Sequence, residues 1–132
     1  MKRETIREKT MQLIYQMDIA GNFNPSELSV LDEDRSVLDK KQCKDTLDAV
    51  RDHVEDIDKC IEDNLENWDF SRIAKTELAI MRTAVAEMMY IDEIPVSVSI
   101  NEAVELSKKY GDDKSYKFVN SVLGKISKTL DE

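Results

Sequence analysis

The chain has 132 residues, of which 41% are hydrophobic and 36% charged, and its formal net charge is −9. Its length allows one domain with a real core, and its 3 glycines and 2 prolines favour long helices over many short strands. We therefore predict an all-α fold forming a single domain over residues 1–132. No apolar run could span a bilayer and the charged start lacks the apolar stretch of a secretion signal, so we expect a cytoplasmic protein without a membrane segment.

The first predicted helix runs from about Arg3 to Ala20, with Gly21 as its natural stop. Its main apolar face consists of Ile6, Thr10, Leu13, Ile14 and Met17. Away from that face, Arg7, Met11 and Tyr15 recur at intervals of four residues, just after Lys2 and Arg3. These three residues either contact a ligand or lie against a second helical layer with Arg7 reaching out to solvent, and the sequence leaves both interpretations open.

The next segment carries two patterns typical of helix starts. Asn24-Pro25-Ser26-Glu27 predicts a short helix with Asn24 as its N-cap, ending near Leu31 to Asp34. Ser36 and Asp39 repeat the spacing and predict the start of a long helix, bent somewhere within His53 to Asp58. The apolar face of that helix contains Leu47, Val50, Val54, Ile57, Ile61 and Leu65.

The acidic excess is confined to this part of the chain. Residues 21–70 carry 6 basic and 15 acidic side chains, whereas residues 1–20 carry 4 and 3, and residues 101–132 carry 6 and 6. An acidic protein repels a polyanion unless its charges are segregated. The middle of the chain therefore repels nucleic acid, while its two ends tolerate it.

Residue types that carry catalysis or bind metals are sparse. His53 is the only histidine, and Cys43 and Cys60 lack a paired CxxC spacing. The sequence contains no glycine-rich phosphate loop and no serine or cysteine in a recognisable nucleophile turn. We expect no enzymatic activity, metal site, cofactor or disulfide.

Helical periodicity breaks around Trp68 to Arg72 and resumes from Lys75 to Tyr90. Apolar residues nearly encircle this second stretch, which predicts that it forms the most buried helix of the protein. After Ile94-Pro95, a capping box at Ser99 and Glu102 predicts the start of the next helix. That helix places Ile100, Ala103, Val104, Leu106 and Tyr110 on its apolar face. Gly111 ends it, and Asp112 or Asp113 caps the last helix, Lys114 to Leu130.

The last helix separates apolar from basic side chains. An apolar arc about 140° wide contains Phe118, Val119, Val122, Leu123, Ile126 and Leu130, and a separate arc about 80° wide contains Lys114, Lys117, Ser121, Lys125 and Lys128. A lysine stripe is often only a solvated face. Phe118 at the border favours RNA, because lysines contact phosphates and aromatic rings stack on bases.

One long run gives the sequence a family resemblance. Ile94-Pro95, then INEAVELSKKYG from Ile100 to Gly111, then KFVN from Lys117 to Asn120 resemble the closing signature of the NusB family. Arg7, Gln12 and Tyr15 resemble the family's first helix, and residues 73–90 resemble its central helix. Similarity thus covers nearly the whole chain, although residues 21–41 match little beyond length.

The resemblance implies two small packed helical bundles, with about six or seven helices, and a role in transcription antitermination without a cofactor. It implies pairing with NusE, a ribosomal small-subunit protein, binding of boxA RNA in nascent transcripts, notably ribosomal RNA, and action in an RNA polymerase complex. By position, the RNA-binding residues are Lys2, Arg3, Arg7, Gln12, Tyr15, Tyr116, Lys117 and Phe118, to which the lysine stripe adds Lys114. Glu77 and Arg82 are candidates for the partner surface, and exposed Met11 and Tyr15 leave a homodimer open.

The sequence also departs from the family pattern. Glu4 and Thr5 interrupt a basic N-terminal run, which removes positive charge where phosphate contact is expected, and Gly124 replaces a usual aspartate in the last helix. Two alternatives stay open: a protein-interaction adaptor with weak or lapsed RNA binding, and an RNA-binding domain like that fused to some RNA cytosine methyltransferases. The second requires these residues to be a fragment.

Overall fold

The computed structural model describes residues 1–29 and 32–130, with the backbone alone for 32–34. The regular structure within these ranges is entirely helical, which confirms the all-α prediction. Its α-helices are α1 (Arg3–Ala20), α2 (Lys41–Asp63), α3 (Lys75–Tyr90), α4 (Val96–Tyr110) and α5 (Asp113–Leu130). Short 3-10 helices span Pro25–Glu27, Asp32–Asp39 and Phe70–Arg72.

Helix α1 has the predicted bounds because its end is coded locally. Gly21 adopts a left-handed conformation with φ 70°, and its N–H donates to the carbonyl of Asp18, satisfying a helix-end acceptor. The predicted apolar face is buried in full, from Ile6 to Met17. Met11 is also buried, at 2% exposure, so the expectation that it is exposed was wrong and a second layer covers it.

The segment between α1 and α2 differs from its prediction. Asn24 caps a single 3-10 turn, accepting from the Ser26 N–H at 3.1 Å, rather than opening an α-helix. Ser36 and Asp39 do not open α2 either, since Asp32–Asp39 is a 3-10 helix and α2 begins at Lys41. Val37 is fully buried and its carbonyl accepts from the Lys40 N–H, so core packing holds this segment in tight turns. Leu31, where the short helix was expected to end, lies outside the described residues.

The predicted bend in α2 is confirmed at His53, whose φ of −133° and ψ of 20° are non-helical. The His53 ring stacks on Tyr90 with centroids 4.0 Å apart. The described residues thus form five α-helices, or six if α2 is counted as two, so the expectation of six or seven was slightly too high. The difference arises because the Asn24 segment is a 3-10 turn.

Helix α3 is the central element, as predicted, and every residue from Leu78 to Glu87 is buried. It packs against each of the other four α-helices, while α1 pairs with α2 and α4 pairs with α5. The two pairs meet through α3 and through a smaller direct contact between α2 and α5.

Residues next to the helix ends also set the starts of α4 and α5, but α4 starts earlier than the sequence predicts. Pro95 precedes the first residue of α4, so Ser99 lies inside the helix and the predicted Ser99–Glu102 capping box was wrong. Ser99 is instead buried, and its hydroxyl donates to Glu87 at 2.9 Å. Asp112 caps α5 as predicted, accepting from the Ser115 N–H at 3.0 Å. Among the described residues, no helix is long and apolar enough to cross a membrane.

Candidate nucleic-acid interface

The end of α4 and the start of α5 bring together basic and aromatic side chains. We call this surface the α4–α5 corner, and it consists of Lys108, Lys109, Tyr110, Lys114, Tyr116, Lys117 and Phe118. Its four lysines are all exposed. The turn is tight, since a Cβ on Gly111 would lie 2.5 Å from Ser115 Oγ and 3.1 Å from the Ser107 carbonyl oxygen. Glycine at this position therefore lets the two helices meet closely.

Two lysines of the corner lie over aromatic rings. Lys108 Nζ is 5.2 Å from the centroid of Tyr116, and Lys109 Nζ is 5.6 Å from that of Tyr110. Both distances fall within the range of cation–π interactions. Cations beside aromatic faces provide the two contacts that single-stranded nucleic acid needs, one for phosphates and one for bases.

Side chains of α1 join the corner through Tyr110. Gln12 Nε2 donates to Tyr110 Oη at 2.9 Å, Tyr110 donates to Glu8, and Lys109 Nζ contacts Glu8 Oε2 at 2.6 Å. Hydrogen bonds from Lys109 and Tyr110 hold the pKa of Glu8 below its usual value, whereas burial and the bond to Glu8 raise the pKa of Tyr110. Tyr15 lies on the same face of α1 as Gln12 and is 37% exposed. The structure thus brings Gln12 and Tyr15 to the side of α1 that faces the corner.

Phe118 lies at the border that the helical count predicts. It is half-buried and packs against the core, while its ring lies 5.8 Å from that of Trp68. On its inner side, α5 buries Val119, Val122, Leu123 and Ile126, as expected. Leu130 is the exception to the predicted apolar arc, since it is exposed at the helix end.

Arg7 does not lie on this surface. Its side chain is 5% exposed, and Nε and Nη2 donate to the two carboxylate oxygens of Glu87 at 2.8 and 3.0 Å. Ser99 donates to the same carboxylate, and Glu102 lies 4.0 Å from Arg7 Nη1. The structure therefore corrects the expectation that Arg7 faces RNA, because the guanidinium joins α1 to α3 and α4 inside the protein.

The two candidate partner residues have different surroundings. Arg82 is buried and donates to both carboxylate oxygens of Asp58 at 2.8 Å. It therefore does not lie on a partner surface, contrary to the expectation from the sequence. Its Nη1 lies 3.2 Å from Asp18 Oδ2, close enough for an ion pair but poorly aligned for a hydrogen bond. Glu77 is half-buried near Ser115, and burial raises its pKa. Of the two, Glu77 lies beside the α4–α5 corner.

Lys2 and Arg3 are exposed but lie at the far end of α1. Gln12 lies nine positions after Arg3, which corresponds to about 14 Å along a helix. Arg3 lines a cleft with Lys40, Lys41 and Ile94 instead. The structure does not bring these two basic residues to the corner.

Two exposed aromatic residues, one in the α4–α5 corner and one beside it, are not among the RNA-binding residues that the sequence predicts. The sequence predicts Tyr110 on an apolar face, but its side chain is 40% exposed, and Trp68, which marks only a break in the helical pattern, is 53% exposed. The available signals were the adjacent Lys108-Lys109 pair for Tyr110 and the polar neighbours Asn67 and Asp69 for Trp68.

Chemistry other than binding has little support in the described residues. They contain no group of three or more histidine, cysteine or acidic side chains placed to hold a metal. Cys43 and Cys60 are free thiols, and burial raises the pKa of each. An acidic cleft lined by Asp45, Asp48, Asp52, Asp92 and Glu93 is open to solvent.

Comparison with known proteins identifies the family. The model of the NusB family matches residues 4–128. Transcription antitermination protein NusB from Bacillus mycoides strain KBAB4 is 42% identical, with 98% of this chain and 100% of the relative covered. The protein of the same name from Bacillus subtilis strain 168 is 39% identical, with 100% and 99% covered.

Solved structures agree with the sequence matches. NusB of T. maritima superposes with a TM-score of 0.77 at 26% identity, covering 97% of this chain and 92% of that one. A chain from the crystal structure of antitermination factors NusB and NusE in complex with dsRNA superposes with a TM-score of 0.78 at 30% identity, covering 96% of each. The match extends over both helix pairs and the central helix, and the chain therefore belongs to the NusB family of transcription antitermination factors, which are not enzymes.

Proposed function

We propose that this chain pairs with a NusE-type ribosomal protein in the cytoplasm, and that the pair binds boxA-containing RNA of nascent transcripts, notably ribosomal RNA, within an RNA polymerase antitermination complex. One observation carries the proposal: four exposed lysines and three aromatic residues meet at the α4–α5 corner, none of which belongs to the acidic segment 21–70. The superposed complex that holds NusB, NusE and RNA supports it.

The positions of the side chains support a division of roles among the predicted residues. Lys114, Tyr116, Lys117 and Phe118 contact RNA from α5, and Gln12 and Tyr15 contact it from α1. Lys2 and Arg3 attract a more distant part of the strand, because they lie at the other end of α1. Arg7 acts indirectly by fixing α1 against α3 and α4, and Glu77 serves the partner surface.

Dependence on the partner follows from the net charge. At −9 the free chain repels RNA over distances beyond the corner, and a basic partner on the acidic side offsets that repulsion. We therefore expect tight binding only by the pair. The acidity also supports the second candidate, a protein adaptor without RNA contact.

The test is a titration of boxA RNA with this chain, with and without its NusE-type partner, across a salt series. We expect higher affinity for the pair, with a log–log salt slope of about −0.7 per phosphate contacted. Lys114→Ala and Lys117→Ala should each make the slope less negative by about 0.7, because each removes one phosphate contact. The matched control Lys59→Ala on α2 should leave the slope unchanged.

The contrary outcomes are distinct. Equal affinity with and without the partner would remove the dependence on pairing. If the complete complex gives no RNA protection in a footprint, the adaptor function holds instead. A homodimer of the free chain also stays a prediction, which sedimentation would test. The structure gives it less support than the sequence does, because Met11 is buried and of the two residues only Tyr15 is exposed.

A further inference from the structure

Trp68 is the only tryptophan in the chain, and 53% of it is exposed. It lies in the connection between α2 and α3. The sequence does not predict a residue of this connection to bind RNA. Exposing a large indole to water forgoes the stabilisation of its burial. The exposed ring is therefore available to contact a ligand.

The backbone on both sides of Trp68 is fixed. Asn67 adopts a left-handed conformation with φ 55°, which is uncommon outside glycine although asparagine tolerates it. On the other side, Asp69 accepts from the N–H and hydroxyl of Ser71 at 3.0 and 2.9 Å, capping the short helix that follows. The indole is therefore presented by a defined turn.

The same turn is attached to α5. Glu66 Oε1 lies 2.8 Å from Lys125 Nζ, and the Trp68 ring lies 5.8 Å from that of Phe118 at an interplanar angle of 48°. Phe118 packs inward against the core, so Trp68 is the outer ring of the pair. This contact extends the aromatic surface of α5 beyond Phe118 onto a second element.

Lysines flank this aromatic pair. On α5, Lys114 and Lys125 lie about 40° and 20° around the helix from Phe118, and Lys117 precedes it directly. Lys125 is engaged by Glu66, whereas Lys114 and Lys117 are exposed. The start of α5 thus supplies two exposed cations near this aromatic pair.

We propose that Trp68 and Phe118 form a two-ring platform on which bases of single-stranded RNA stack, with Lys114 and Lys117 holding the adjacent phosphates. The platform rests on the proposed RNA-binding function and adds Trp68 as a base-contacting residue. It selects unpaired RNA, because bases within a duplex already stack on each other and do not offer their faces to a side chain.

The fluorescence of Trp68 provides a direct test, since the chain has no other tryptophan. Single-stranded boxA RNA is titrated into the chain with its NusE-type partner while anisotropy of labelled RNA reports binding. Trp68→Phe with the same partner gives the background emission. We expect Trp68 emission to be quenched along the same curve as the anisotropy.

Variants measure the contribution to affinity. Trp68→Ala should weaken binding about five-fold or more, whereas Trp68→Phe, which keeps an aromatic face, should lose much less. Val98→Ala serves as the matched control, because Val98 is an exposed apolar residue at the start of α4, outside the corner. It should leave RNA affinity unchanged.

Each outcome decides the question. RNA binding without quenching, and with unchanged affinity in Trp68→Ala, overturns the platform and leaves the proposed function intact. Failure of the unaltered pair to bind RNA overturns both. Loss of partner binding by Trp68→Ala without RNA present makes Trp68 a protein contact instead. If Trp68→Ala fails to fold, the presence or absence of quenching in the unaltered chain still decides.

Discussion

Arg7 shows how burial determines the role of a charged residue. A guanidinium taken out of water needs a matched anion, and Glu87 provides one with two hydrogen bonds while Ser99 satisfies the same carboxylate from α4. Both charged side chains are nearly inaccessible, at 6% and 1% exposure. The pair therefore fixes how three helices meet rather than offering a charge to a ligand.

Removing one partner of this pair should be costly. We expect Arg7→Ala to lower the free energy of unfolding by about 3–5 kcal/mol, because it leaves the Glu87 carboxylate buried without its cation. Urea denaturation measures this loss, and Arg3→Ala is the matched control, since Arg3 is exposed and should change stability by less than about 0.5 kcal/mol. Unchanged stability in Arg7→Ala would contradict the structural role.

The Glu8 carboxylate predicts a pH dependence for the contact between α1 and α4. Its pKa is lowered in the folded protein by hydrogen bonds from Lys109 and Tyr110, so the unfolded chain binds its proton more readily. The resulting stabilisation is complete above the ordinary carboxyl pKa and is lost as pH falls through the lower, folded value.

Thermal melts of the wild type and Glu8→Gln across that range provide the measurement. The wild type should be more stable near neutral pH, and the difference should vanish in acid. Glu105→Gln is the control, because Glu105 is exposed and pairs with Lys108 on its own helix rather than with a residue of α1. A difference that persisted at low pH would show that Glu8 acts through packing instead.

At the scale of elements, Gly124 is a weak point of α5. It lies inside the helix, and a Cβ built on it meets nothing within 4 Å. Because glycine in a helix interior costs about 1 kcal/mol relative to alanine, Gly124→Ala should raise the free energy of unfolding by about that amount and the Tm by about 4 °C. Calorimetry checks the gain, and a lower Tm would mean that α5 needs the glycine.

Helix starts show where local patterns fail. Asn24 and Asp112 cap the turns that follow them, as their sequences predict. Ser99 has an equally good capping pattern, yet it lies within α4 because Pro95 starts the helix earlier and Glu87 on α3 binds the hydroxyl. A capping residue identifies a helix start only when no distant group competes for its side chain.

At the scale of the whole molecule, the acidic α2 and the basic α4–α5 corner form an electrostatic contrast that acts over distance. Glu55→Lys combined with Glu62→Lys, both exposed on α2, should raise the affinity of the chain for RNA at low salt. The gain should disappear as salt rises, because the screening length falls from about 10 Å at 0.1 M to about 3 Å at 1 M. The same substitutions to glutamine should give a smaller gain.

A salt-independent gain would contradict this explanation, since it would place the new lysines in direct contact with RNA. Anisotropy of labelled RNA at several ionic strengths distinguishes the two. Far-UV circular dichroism confirms that the helices are retained.

Several features of this protein were determined by the sequence alone. The all-α class, the bounds of α1 and α3 and the inner face of α5 follow from periodicity, glycine stops and caps, which act within a few residues. The sequence predicts a bend within residues 53–58, and the structure places it at His53. The position of the charges along the chain, and the family signature from Ile94 onward, likewise needed no coordinates.

Only the tertiary structure decided which residues outside the main apolar face of each helix are buried by another helix. Periodicity separates an apolar face from a polar one, but it does not reveal which distant helix lies against Arg7 and Met11, or that Tyr110 and Trp68 stay exposed. Those outcomes depend on how helices far apart in sequence pack around α3. For this reason the corner was predicted in part, as Lys114 to Phe118, while its Trp68 extension appeared only in the fold.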